Sequence, residues 1–269
     1  MNTLRVLLLG DLFGQPGTKL FARHIESLRK EHNIDAVIVN GENTASSNGM
    51  GITPDVMEMF KKYKVDVVTS GNHIFDKKEI HPYLANNSDL IRPANFPSIC
   101  PGKGFTTFVC KGFVVGVINI QGRVFMSQHV DCPLRTVDGI LTYLSQKTKI
   151  IFIDHHAEAT SEKLALGYYF DGRVSGVVGT HTHVQTNDAR ILPGGTAYIT
   201  DLGMGGTLNS MIGVKKEILL QKMLTQMPAK YEVATEPPYV LSGVIIEVDT
   251  KTGSAQSIET IYLTDNQPL

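Results

Sequence analysis

Cysteine is scarce in this chain of 269 residues: Cys100, Cys110 and Cys132 are an odd set without C-x-x-C spacing. That excludes a disulfide framework and a thiolate zinc site, and it predicts reduced, structural thiols. Net charge is nearly absent too, with 25 Lys and Arg against 26 Asp and Glu. A balance of −1 gives no electrostatic footprint for duplex DNA or an anionic membrane, so a polyanion would have to be bound locally. The basic, aromatic-interleaved stripe of a single-strand groove is missing as well. No apolar run reaches the roughly 20 residues of a membrane span, and Met1 to Val6 leads into a short strand without a long hydrophobic leader, so a cytoplasmic, soluble protein is expected. Without repeats, low-complexity tracts or linkers, residues 1–269 are expected to form a single domain.

What the chain does have is a series of short apolar runs ending in polar residues. Leu4 to Leu9, Ala36 to Val39, Val65 to Thr69 and Lys149 to Ile153 read as buried strands. Gly14, Pro16 and Gly17 read as a loop before a helix over Thr18 to Glu31, and Thr53-Pro54 opens a second helix. A helical stretch is predicted from Lys77 to Asn87, then a hairpin from Thr106 to Val109 and Val114 to Ile120. After an irregular stretch around Gly122 to Pro133, a helix is predicted near Val137 to Gln146, and another running to Phe170. Val177-Val178 and Thr196 to Thr200 are further strands. Val240 to Val248 and Ser257 to Leu263 make a final pair around Lys251-Thr252-Gly253. Alternating elements followed by a hairpin-rich half predict α/β layers with mixed sheets.

Function is expected where the strands end, because loops converge at carboxyl ends in such folds. Five ends supply Asp11, Glu42 with Asn43, Asn72 with His73, His156, and the pair His181 and His183. The H-x-H spacing lets both imidazoles face one side of an extended or tightly turned segment. Taken singly, each has a plainer explanation: Asp11 as a helix cap, Glu42-Asn43 and Asn72-His73 as turn residues, the histidines as solvated or core groups. The recurrence at five ends is what these explanations leave over. Carboxylate, amide and imidazole together suit iron, manganese or zinc, and a carboxylate such as Glu42 can bridge two ions about 3.5–4 Å apart, which points to a binuclear centre. The glycines of 10–17 do not make a phosphate loop, because Thr18 precedes Lys19.

The blocks G-D-L-F-G-Q-P-G, N-G-E-N, S-G-N-H, H-A-E-A-T-S-E-K, G-T-H-T-H-V-Q-T and I-T-D-L-G-M, between about Leu7 and Gly213, resemble the YmdB-like branch of the calcineurin-like metallophosphoesterases. That resemblance implies a four-layer αββα sandwich of two mixed β-sheets flanked by helices. It implies a bacterial 2′,3′-cyclic nucleotide phosphodiesterase. It also implies two transition-metal ions, one held by Asp11, Glu42, Asn43 and His183 and the other by Glu42, Asn72, His156 and His181. Phe13 stands where the wider superfamily carries a histidine ligand, and His155 stands where the branch commonly carries phenylalanine, so the ligand role falls to His156.

The chemistry expected of such a site is hydrolysis. Two carboxylates against two dications leave roughly +2 to hold a phosphodiester, and a water between the ions is acidified toward a pKa of about 7. His73, following Asn72, suits a general acid for the leaving oxygen. Substrate-binding residues are not readable, and Asp201 and the segment Glu158 to Lys163 are open between ligand-orienting and structural roles, with Thr160 or Ser161 as a helix cap. A small phosphodiester, with RNA ends beside it, is the expected substrate. The alternatives are a general phosphomonoesterase, or a regulatory RNA- or protein-binding protein with a structural metal site. Strand edges in the tail make homo-oligomers plausible.

Overall fold

The computed structural model describes residues 3–46 and 48–269; Met1 and Asn2, which open the N-terminal run, lie outside the described residues. The first half runs β1 (Thr3–Leu9), β2 (Asp11–Leu12), α1 (Gly14–His32), β3 (Ala36–Asn40), α2 (Pro54–Lys62), β4 (Val67–Thr69), a 3-10 turn at Lys78–Ile80, and α3 (His81–Asn86). Then come β5 (Phe105–Cys110), β6 (Phe113–Gln121), α4 (Pro133–Leu144), β7 (Ile150–His156), α5 (Thr160–Tyr169) and β8 (Gly176–Thr180). The chain closes with β9 (Arg190–Ile191), β10 (Ala197–Ile199), β11 (Met204–Thr207), α6 (Lys216–Thr225), β12 (Tyr239–Asp249) and β13 (Ala255–Asp265).

Two mixed sheets result. One has the order β2-β11-β12-β1-β3-β4 with β13 on the other edge of β12, and the second has the order β5-β6-β7-β8-β10-β9. Period-two alternation sorts the side chains into layers. On β1, Leu7 and Leu9 pack with Leu20, Phe21 and Ile25 of α1, while Leu4, Val6 and Leu8 face Val115, Val117 and Phe152 of the second sheet. The far face of that sheet carries Ile118, Ile120, Ile151 and Ile153 against Val137 and Leu141 of α4 and Leu166 of α5. Helix, sheet, sheet, helix is therefore the layer order, as the resemblance implies. Each fully buried Leu, Ile or Phe contributes about 1.5–3 kcal/mol to holding it.

Strand β12 shows how the first site residue is placed. Its C-terminal half pairs with β1 (Leu9 beside Gly243) and its N-terminal half pairs with β11 (Gly205 beside Leu241), both antiparallel. Where the partner changes, the Gly10 amide donates to Ser242 O at 3.1 Å and the Asp11 amide to Gly203 O at 3.1 Å. Asp11 is thus fixed at a step between two strands.

Several boundaries differ from the sequence reading. Helix α1 begins at Gly14 rather than Thr18, so Gly14, Pro16 and Gly17 are its first turn and not a loop. Proline is tolerated there because first-turn amides lack intrahelical partners. Gly17 is needed for close approach, since a Cβ on it would lie 2.4 Å from Gly205 O of β11. Helix α4 likewise starts at Pro133, ahead of Val137. Strand β7 runs on to His156, which puts Asp154, His155 and His156 inside the sheet. Helix α5 is preceded by Ala159 with no side-chain cap, so neither Thr160 nor Ser161 caps it. Helix α6 and strand β11 were not anticipated. Among the described residues, no helix is long and apolar enough to cross a membrane.

Candidate metal centre

The polar residues meet at one end of the sandwich, over the seam between the sheets. From the first sheet come Asp11 on β2, the turn Glu42-Asn43 after β3 and the turn Asn72-His73 after β4; from the second come His156 on β7 and His181 and His183 in the turn after β8. The centre of gravity is His156 Nε2. Glu42 Oε1 lies 2.9 Å from it, Asn72 Oδ1 3.0 Å and His181 Nδ1 3.1 Å. Asp11 carries a second grouping, with Oδ1 3.9 Å from His156 Nδ1 and 3.8 Å from His183 Nε2. Gly71 leaves room for this, because a Cβ there would stand 2.2 Å from the His156 ring.

Backbone strain holds the histidine pair. His181 has φ 98° and His183 φ 62°, a region that costs a side-chain-bearing residue free energy unless its surroundings over-determine it. They do. The His181 amide donates to Asp11 Oδ2 at 3.1 Å, and the Thr182 amide and hydroxyl both donate to Asp201 Oδ2, at 3.2 and 2.7 Å. Asp201 is itself buried against Lys163, whose Nζ donates to Oδ2 at 2.7 Å. Asp201 and Lys163 are therefore orienting groups for the turn. Glu158 Oε2 approaches His181 Nε2 at 3.2 Å, and Glu162 leaves the site to bind the backbone near Arg123.

Hydrogen bonding also fixes which ring nitrogens face the centre. Thr180 Oγ1 donates to Asp154 Oδ1 at 2.7 Å, so it accepts from His156 Nδ1 at 2.9 Å, and Nε2 points at the carboxylate. His183 Nδ1 donates to Ile212 O at 2.9 Å, which leaves its Nε2 lone pair toward Asp11. This is the tautomer control that metal-binding histidines show. Asp154 anchors the relay from beneath, taking Asn40 Nδ2 at 3.1 Å and the Thr69 hydroxyl, so it stitches the two sheets together. Sequence reasoning gave Asp154, Thr180 and Asn40 no role. The alternation along β7, which puts Asp154 on the face of His156, was the available signal.

Burial and mutual charge shift the ionisable groups of the site in different directions. Burial lifts the Asp11 carboxyl to about 6, against the pull of His183 and His156. Burial also acts to raise Glu42, but the adjoining His156 outweighs it and holds Glu42 down at about 2. Burial acts to depress His156, and Glu42 and Asp11 override it to bring the imidazole up to about 9. His181 is pushed down to about 3 by burial and by the neighbouring His156, which outweigh the opposite pull of Glu42.

The donor set fits a metal ion. Glu42, His156 and His181 offer ligand atoms within 4.8 Å of one another. Asp11 Oδ1 and Asn43 Oδ1 are buried with no hydrogen-bond partner among the described residues, although Asn43 Nδ2 donates to Gly49 O at 2.9 Å. Buried oxygens without partners are costly in a native fold unless something else takes their lone pairs. His73 is placed differently: its amide donates to Glu42 Oε2 at 3.0 Å, and its ring Nδ1 meets Asp76 Oδ2 at 2.8 Å. Asp76 was not foreseen. Phe13 packs edge-on to His183, ring centres 5.6 Å apart, and is core rather than ligand.

Known proteins share this architecture. The model of the family described as YmdB-like protein matches residues 7–261. A Bacillus subtilis (strain 168) protein named 2′,3′-cyclic-nucleotide 2′-phosphodiesterase is 44% identical over 263 residues, 98% of each chain. A crystal structure described as a novel phosphatase from Mycoplasma pneumoniae superposes with a TM-score of 0.92 at 32% identity, covering 100% of this chain and 96% of that one. A hypothetical protein from Thermus thermophilus gives 0.88 at 37% identity, covering 97% of this chain and 100% of that one.

Proposed function

Because the chain belongs to the YmdB-like family, we infer that it is a hydrolase of phosphodiesters whose substrates are small nucleotides such as 2′,3′-cyclic nucleotides. The observation that carries the reading is the convergence of Glu42, Asn72 and His181 on His156 beside the partnerless oxygens of Asp11 and Asn43. Asp11, Glu42, Asn43 and His183 would hold one ion and Glu42, Asn72, His156 and His181 a second, with Glu42 shared. Iron or manganese suits this donor set best, and zinc is compatible. Bound ions supply a water acidified toward neutral pH and neutralise charge on the phosphoryl oxygens.

The protein's own residues do the rest. Thr180 and Asp154 keep His156 Nε2 facing Glu42, and Asp201 keeps the 181–183 turn in its strained form. His73 is the acid. In the imidazolium form the Nδ1–H donates to Asp76 Oδ2 at 2.8 Å and stays there, and the Nε2 proton is the one delivered to the departing ribose oxygen. Two carboxylates at a cluster of imidazoles keep the site selective for anions only once cations are present, in keeping with the chain's net charge of −1. The whole chain acts as one domain, its inter-sheet core drawing on both halves of the sequence. RNA ends bearing cyclic phosphates fit the same chemistry, and three free cysteines suit the cytoplasm.

Hydrolysis of 2′,3′-cyclic AMP by manganese- or iron-loaded protein, beside Glu42→Gln, tests the reading. Turnover that disappears in the variant is expected. No turnover in the metal-loaded wild type would put the substrate class in phosphomonoesters instead. A regulatory effect that survives in Glu42→Gln would place that function in binding.

A further inference from the structure

Strand β6 ends at Gln121, level with His156 on β7, and residues 122–130 then leave the sheet before the Asp131 amide donates to Asn95 O at 3.0 Å. Buried Asn95 closes the base of this excursion. Its Nδ2 donates to the carbonyls of Gln121 at 2.7 Å and Asp131 at 3.0 Å, and its Oδ1 accepts from the Gln121 amide at 3.0 Å. Two more bonds tie the loop to the metal centre itself: the Gly122 amide donates to His156 O at 2.9 Å, and Gln128 Nε2 to Asn72 O at 3.4 Å. On the outer side Glu162 accepts from the Arg123 amide at 2.9 Å and the Val124 amide at 3.2 Å. A short loop with closed ends, anchored on its own partners, is a form that frequently carries function.

At its tip, Phe125 is 86% exposed with φ 62°. Packing does not account for an aromatic ring held out in water on a left-handed backbone. Phe125 is three residues from Gly122 and three from Gln128, so its Cα is within about 10–11 Å of the Cα of each of these two tethers. A second feature lies beneath the loop. Because Gln128 Nε2 donates to Asn72 O, its Oε1 accepts from Gln121 Nε2 at 3.3 Å. Gln121 Oε1 is then left as a buried acceptor without a partner among the described residues.

We propose that the loop 122–130 is the nucleoside-binding element of the site, the Phe125 ring stacking on the base. This rests on the phosphodiesterase reading for its ligand class. It explains how a metal centre that grips only phosphate discriminates nucleotides from other diesters, since every base has a π-face for an aromatic platform.

The test compares Phe125→Ala and Phe125→Tyr with wild type on 2′,3′-cyclic AMP and on glycerol 1,2-cyclic phosphate, which keeps the cyclic diester and lacks the base. Phe125→Ala should raise KM for the nucleotide roughly 5- to 100-fold with kcat changed less than about twofold, and leave the glycerol ester unaffected. Phe125→Tyr should restore the wild-type KM. The chain has no tryptophan, so binding of 2-aminopurine riboside 3′-phosphate can be followed by quenching of its fluorescence, which Phe125→Ala should abolish. An unchanged KM with quenching retained, or equal losses on both substrates, overturns the proposal. If wild type hydrolyses neither ester, the phosphodiesterase reading fails, and the quenching alone still decides the loop.

Discussion

Replacing His155 by phenylalanine should stabilise the protein, by an amount that depends on pH. The imidazole is fully buried on β7, one residue from His156 but on the opposite face, and neither ring nitrogen has a hydrogen-bond partner among the described residues. An unpartnered buried polar group costs about 1–3 kcal/mol. Part of that returns as strain from the larger ring, so a gain of about 1 kcal/mol is expected at pH 8. The pH dependence is the sharper part. Burial, then the Lys163 ammonium, then His156, push the folded His155 from 6.5 down to about 3. Below pH 6.5 the unfolded imidazole takes up a proton while the folded one stays neutral, so acid favours unfolding, and stability is lost progressively between about 6.5 and 3. At pH 5 that amounts to about 2 kcal/mol relative to pH 8. Phenylalanine has no such loss, so its advantage should widen from about 1 to about 3 kcal/mol. Urea unfolding of both proteins at pH 8 and pH 5, with chelator present, measures this. An advantage that stays flat between the two pH values would refute the buried neutral imidazole, and a destabilised variant at both would refute the packing.

Thr180→Val should remove the hydroxyl that joins His156 to Asp154 and lower manganese affinity about 10- to 100-fold; titration calorimetry should show Thr180→Ser close to wild type, and a valine variant within twofold of wild type would dismiss the relay. His73→Ala should slow 2′,3′-cyclic AMP hydrolysis about 10²- to 10⁴-fold and p-nitrophenyl diesters far less, because nitrophenolate leaves unaided. Equal losses on the two substrates would remove His73 from the acid role.

The strands and their polar ends were legible because they are buried on both faces and stop abruptly: Leu4 to Leu9, Ala36 to Val39 and Val177-Val178 all lie in the sheets. The site residues were legible as a recurrence of type and spacing. What lay beyond was information in register. Thr180 meets His156 because β7 and β8 pair in parallel with those two residues level, and no single-chain pattern encodes that alignment. Helix α6 hid for another reason. Leu220, Met223 and Leu224 are exposed on it while Leu219 is buried, so it lacks the one-sided stripe by which surface helices are recognised. At the start of α1, glycine and proline signalled a turn, and the close contact with β11 that requires Gly17 belongs to the folded state alone.

The order of donors along the chain has its own consequence for how the centre comes into being. Every carboxylate and amide in it lies between residues 11 and 72, and every imidazole between 156 and 183. The bond that joins the His181 amide to Asp11 spans 170 residues. A chain emerging from the ribosome therefore carries an incomplete coordination set from residue 72 until residue 156 appears, and completes it only after residue 183 is free. Likewise, a single proteolytic cut between 73 and 155 yields two fragments, neither of which holds the full set. The site is a property of the closed fold, and it closes late.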